Sequence, residues 1–171
     1  MTENGSIELE GVDKLLKALA ACDETVVKAA LDGMEAGAQE MINDAKRNLR
    51  ENNSVVTGLL RKSGRVERKK DDITAGFFDT TNRYSGYAAY VEYGRRSGKM
   101  PPPDEIGAWA YKKFHLQGEK GWKEANSLGW AIARRIALQG TQPHPFFGPA
   151  VKKHQNKIVN AVRDAVRKAT K

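Results

Sequence analysis

The order of elements written in this sequence is that of an α+β chain: a long N-terminal helix, a small antiparallel sheet, then C-terminal helices. Three observations carry that expectation. Val27, Leu31, Met34, Ala38, Met41, Ala45 and Leu49 recur every three or four residues, the spacing of one helix face. Gly64–Arg68 and Ile73–Phe78 flank the charged turn Lys69-Lys70-Asp71-Asp72, as the two arms of a hairpin do. Beyond Pro103 the helical period returns in three further segments. A length of 171 residues suits one domain, 1–171, with the long helix at about 24–50, the sheet region at about 55–94 and the helical insertion and C-terminal helices at about 101–170.

Taken in order, Ile7-Glu8-Leu9-Glu10-Gly11 alternates apolar and polar residues and predicts a short strand ended by glycine. Val12–Cys22 places Leu15, Leu16 and Leu19 at helical spacing. Asp23 is the expected N-cap of the long helix, because its carboxylate can accept from a free N–H of the first turn. That helix is read as the spine of the fold, since Asp32, Glu35, Gln39, Asn43 and Lys46 lie opposite its apolar stripe. Val55–Arg61 is a short apolar connection into the hairpin.

Tyr87-Ala-Ala-Tyr-Val-Glu-Tyr-Gly94 is the stretch around which the chain is organised. Its apolar residues fit either period, and a short helix broken at Gly94 is the preferred reading. Met100-Pro101-Pro102-Pro103 is extended, and Pro103, Asp104 and Glu105 suit a helix first turn. Ile106, Trp109, Ala110 and Phe114 give that helix a buried side. Gln117–Asn126 is read as a glycine-containing loop around Trp122, and Ser127–Leu138 as a helix stopped by Gly140. Thr141–Pro149 holds three prolines and is irregular. Pro149 can then start a last helix with Val151, Ile158, Val162 and Val166 inward.

Composition narrows the function classes. Apolar residues make up 40% and charged residues 29%, ordinary for a globular protein. A net charge of +8 favours acidic partners without choosing among them. Cys22 is the only cysteine, so no internal disulfide and no paired-cysteine metal site can form, which suits a reducing compartment. The opening Met-Thr-Glu-Asn-Gly-Ser lacks the basic start and apolar run of a secretory signal, and no membrane contact is expected.

Catalytic readings fail on chemistry. Gly94-Arg-Arg-Ser-Gly98-Lys99-Met100 is one residue too short between its glycines for a phosphate-binding loop, and Met100 stands where a magnesium-holding hydroxyl is needed. Asp104 and Glu119 do not form the clustered carboxylates of a metal nuclease, and His115, His144 and His154 lack zinc spacing. No catalytic residue, cofactor or metal is therefore assigned. Glu92, a lone acid among tyrosines, reads as a hydrogen-bond anchor for backbone or arginine. Arg61, Lys62, Arg65, Arg68, Lys69 and Lys70 crowd the first strand; a solvated, charge-protected edge is the preferred reading, and a phosphate or partner contact through Arg61, Arg65, Arg68, Lys69 and Lys70 the alternative. The last helix carries seven cations against Asp164 and reads in the same two ways.

Four blocks in order resemble a known family. Thr57-Gly58-x-Leu60, Tyr87-Ala88-x-Tyr90-Val91-Glu92-Tyr93-Gly94, Pro101–Ile106 with Trp109, and Trp130–Ile136 followed by Gly140-Thr141-x-Pro143-x-Pro145-Phe146-Phe147-x-Pro149-Ala150 resemble the tail-component family of long-tailed bacteriophages, also called tail-completion, neck or head–tail joining proteins. Arg95 departs from the threonine usual there. The resemblance implies an α+β subunit whose long helix packs on the sheet. It implies a non-enzymatic virion protein of the neck or tail top, assembled in the host cytoplasm. Such subunits can be monomers in solution and form a ring with copies of themselves on the particle, between the tail tube or tail terminator and the head connector or stopper. On this reading Tyr87, Tyr90, Glu92, Tyr93 and Gly94 fix a core turn, and Thr141, Pro143, Pro145, Phe146 and Phe147 dock a neighbouring subunit. DNA contact is left open, and a basic nucleic-acid-binding protein is the competing function.

Overall fold

The computed structural model describes residues 23–52, 58–70, 72–78 and 87–169. The strand expected at 7–11, the helix expected at 12–22 and Cys22 lie outside the described residues. The element order is α1 (Glu24–Glu51), α2 (Leu59–Ser63), β1 (Gly64–Lys69), β2 (Asp72–Phe77), α3 (Tyr87–Tyr93), α4 (Pro103–Lys113), α5 (Gly118–Gln139) and α6 (Phe147–Ala169). This is the expected α+β arrangement of long helix, two-stranded antiparallel sheet and C-terminal helices.

Asp23 caps α1 as its position predicts, accepting from the Thr25 N–H at 3.1 Å. The 28 residues of α1 extend about 42 Å at the usual rise. Its apolar stripe is covered along its length by α6, which runs antiparallel to it. At one end Val26, Ala30 and Met34 pack with Val162; at the other Met41, Ile42, Ala45 and Leu49 pack with Phe146, Phe147, Ala150 and Ile158. The helices approach closely at Gly37, where a Cβ would lie 2.7 Å from Ile158 Cγ1. So α1 is the spine, as its polar opposite face suggests.

The hairpin pairs Gly64 with Phe77 through Lys69 with Asp72, close to the boundaries read from the sequence. Its inner residues Val66, Ala75 and Phe77 close one side of the larger core cluster. Phe77 stands edge-on to Phe146 at 4.9 Å and to Phe147 at 5.7 Å, a favoured aromatic geometry. Ahead of β1, Leu59–Ser63 forms one short helix rather than a plain connection.

Two expectations about the later helices are corrected. Phe114 is not on the buried side of its helix: it is the C-cap of α4 and stays 52% exposed. Gln117–Asn126 is not a loop, because α5 is continuous from Gly118 to Gln139. Two glycines misled the reading. Gly118 carries the turn, with φ at +66°, while Gly121 is buried inside the helix against Leu116. There a small residue leaves room for the Leu116 backbone folded against the first turn of α5. Helices α4 and α5 form their own hairpin, packed through Gly107, Ala110, Ala125 and Gly129. A Cβ on Gly129 would sit 2.5 Å from the Pro103 carbonyl oxygen. The excursion is closed at its base by a bridge between Arg95 and Thr141.

Candidate interaction site

Helix α3 sorts its seven residues by side. Ala88 and Val91 pack against the core cluster, and Glu92 is buried. Tyr87, Tyr90 and Tyr93, three apart, share the opposite face and stay 44%, 52% and 69% exposed. Of the five residues expected to fix the turn, Glu92 and Gly94 therefore turn toward the protein, and the tyrosines face outward.

Glu92 is the chemical centre of the arrangement. Its Oε2 accepts the N–H groups of Phe146 and Phe147 at 2.8 and 2.9 Å, and its Oε1 accepts that of Gly148 at 2.9 Å. These are free donors at the start of α6, where no intrahelical partner exists and the helix dipole is positive. A carboxylate supplied 54 to 56 residues earlier thus caps α6. The anchor role read from the sequence is the one found, and its partner is backbone.

The same segment is tied down on every side. The Val91 carbonyl accepts from the His144 N–H at 2.8 Å, and Arg95 and Thr141 exchange two backbone bonds at 3.1 and 2.8 Å. From α1, Asn48 donates to the Phe146 carbonyl at 2.8 Å and Asn52 to that of Pro145 at 2.9 Å. Gly94 has φ of +73°, and a Cβ there would lie 2.5 Å from the Thr141 oxygen. Only glycine fits that close crossing without strain. The stretch at 87–94 and the proline segment at 141–149, distant in sequence, are one structure.

Phe146 and Phe147 are 1% and 6% exposed and belong to this chain's own core. Of the residues expected to dock a neighbour, Thr141, Pro143 and Pro145 remain exposed, beside the outward Tyr90 and Tyr93. The Arg95 guanidinium lies 5.5 Å from the Tyr90 ring centre and donates to the Lys99 carbonyl. Gly94–Met100 is no phosphate cradle: the Gly98 N–H is spent on the Ala137 carbonyl and the Arg95 N–H on Thr141.

The basic first strand is partly neutralised. Arg65 pairs with Glu67 at 2.7 Å and covers the Phe78 ring. Arg68 bridges Asp32 and Glu35 of α1 at 2.6 and 2.9 Å, and hydrogen bonds to both carboxylates raise its pKa further. Lys69 and Lys70 are exposed at the hairpin end. Arg61 sits instead on α2, beside Lys62.

Sequence reasoning missed a buried polar pair. Asp44 of α1 accepts from Lys153 at 2.7 Å and from the His154 Nε2 at 2.8 Å, with Arg47 at 2.8 Å on its other oxygen. The bonds to Lys153 and His154 pull its pKa down to about 2, against the desolvation of burial. Both residues fall on apolar stripes, Asp44 between Met41 and Ala45 and His154 between Val151 and Ile158. A polar residue on a buried face was the available signal. Among the described residues, no group of three or more His, Cys, Asp or Glu is placed to hold a metal ion, and no helix is long and apolar enough to cross a membrane.

Residues 13–94 match the model of the HK97-gp10-like family, described as "Bacteriophage HK97-gp10, putative tail-component". The match ends at Gly94, so the proline and C-terminal blocks of the resemblance lie beyond it. Neither a curated protein nor a solved structure matches the chain significantly. The match supports the resemblance read from the sequence: a tail-component family of phages.

Proposed function

From that family we propose that this phage tail component is a structural, non-catalytic subunit of the neck or tail top. It completes the tail and joins it to the head as one member of a ring. Its neighbours are further copies of itself, a tail tube or tail terminator protein on one side and a head connector or stopper protein on the other. The observation that carries the reading is the stapled unit built on Glu92. Three charge-assisted bonds, two bridge bonds and two asparagine bonds hold an irregular proline segment rigid. A segment so fixed presents Tyr90, Tyr93, Pro143 and Pro145 outward with little entropy left to lose on docking. Tyrosine is also among the residues enriched at interface hot spots.

The test is electron microscopy of lysates from phage with a nonsense codon in this gene, complemented by wild-type or variant chain. Filled heads beside unjoined or aberrant tails, rescued by wild-type but not by a folded Tyr90→Ala/Tyr93→Ala double variant, are the expected result. Normal joined particles without the protein would overturn the reading.

A further inference from the structure

The ends of α1 and α2 enclose an open groove of about 670 Å³ that is separate from the tyrosine–proline surface. Lys46, Arg47 and Arg50 line it from α1, and Arg61 and Lys62 from α2. Among the described residues Glu51 is its one carboxylate, and Asn43 also lines it. Arg47 is partly committed to Asp44. Lys46, Arg50, Arg61 and Lys62 have no ion pair with any described residue, unlike Arg65 and Arg68 on the neighbouring strand. In-chain pairing thus occupies Arg65 and Arg68 on β1, whereas the groove cations, like Lys69 and Lys70 at the hairpin end, keep their charge unpaired among the described residues.

We infer that this groove is a binding site for the phosphate backbone of duplex DNA, taken without reading its sequence. The lining chooses the partner. Among the described residues its lining contains no apolar or aromatic side chain, so they supply no anchor of the kind that carries protein–protein affinity. Nor do they supply a ring on which an unpaired base could stack. What remains is a concave cluster of cations, which suits a regular array of phosphates. Lys46 and Arg50 stand one helical turn apart on one wall, and Arg61 and Lys62 face them from the other.

The experiment is fluorescence anisotropy of the purified full chain with a labelled random-sequence duplex of about 30 base pairs, over a salt series. Each phosphate contact contributes about 0.9 to the slope of log affinity against log salt. Neutralising all four free cations to glutamine therefore lowers the slope by about 3.6. That is a loss of salt sensitivity on the order of 100-fold between about 50 and 200 mM. Arg50→Gln alone lowers the slope by about 0.9, and its single exposed change keeps the test valid if the fourfold variant misfolds. The Arg65→Gln/Arg68→Gln variant, neutralising cations already paired, keeps the wild-type slope. The inference is overturned if the wild type shows no salt-sensitive duplex binding or if Arg50→Gln leaves the slope unchanged. A loss of slope in the Arg65/Arg68 variant instead overturns it by moving the contact to the strand. Binding of polyglutamate or of a single strand in place of the duplex also overturns it.

Discussion

Replacing Glu92 with glutamine removes one negative charge and turns one acceptor into a donor, with almost no change of shape. In the wild type, Oε2 holds the N–H groups of Phe146 and Phe147, and Oε1 holds that of Gly148. The amide oxygen of glutamine can keep the first two. Its NH2 group then faces the half-buried Gly148 donor, which loses the acceptor it has in the wild type. A buried donor left unsatisfied costs about 1–3 kcal/mol. Loss of a charge against the positive end of a helix adds about 0.3–1 kcal/mol, and more where partly buried. The expected destabilisation of Glu92→Gln is therefore about 2–4 kcal/mol. With about 2–4 °C of melting temperature per kcal/mol for a chain of this size, Tm falls by roughly 5–15 °C. Urea unfolding followed by far-ultraviolet circular dichroism measures the same quantity as a shift in midpoint. The conservative control is Tyr93→Phe, on the exposed face of α3, which should stay within about 0.5 kcal/mol of wild type. If Glu92→Gln is equally silent, the carboxylate is not the staple of this fold, and the rigidity argument for the docking surface fails with it.

Two further predictions concern separate parts of the molecule. Gly129→Val should separate α4 from α5, since even a Cβ would meet the Pro103 oxygen at 2.5 Å. Hydrogen exchange should then quicken across residues 103–139 while the α1–α6 pair keeps its protection, and uniform loss of protection would show that the hairpin is not an independent unit. Asp44, whose pKa falls from 3.8 to about 2 on folding, stabilises the protein fully above the unfolded value and loses that contribution as pH drops from about 4 to 2. The side chain retains some exposure, so screening reduces the gain to about 1–2 kcal/mol. The urea midpoint of wild type should decline across that window more steeply than that of Asp44→Asn, and parallel declines would count against the pair.

Local regularities were legible without coordinates. The stripe of α1, its Asp23 cap, the hairpin at 64–77, the break at Gly94 and the helix start at Pro103 each depend on residues a few positions apart. Glu92 stood out as a lone acid in an apolar context, which is enough to predict an anchor. The sequence by itself therefore determined the α+β order and the motif around which it is built.

Tertiary structure decided what those residues meet. The partners of Glu92 lie 54 to 56 residues away, those of Asn48 and Asp44 about 100, and periodicity contains no information at such separations. Hence an exposed aromatic–proline segment was expected where Phe146 and Phe147 complete the core. Hence also a glycine beside Trp122 read as a loop when it lies inside a helix, packed under the Leu116 backbone. The basic strand is the same case: which arginines are free depends on where Asp32 and Glu35 fall on α1, and charge, unlike helix period, is cancelled or exposed only when distant elements are brought together in space.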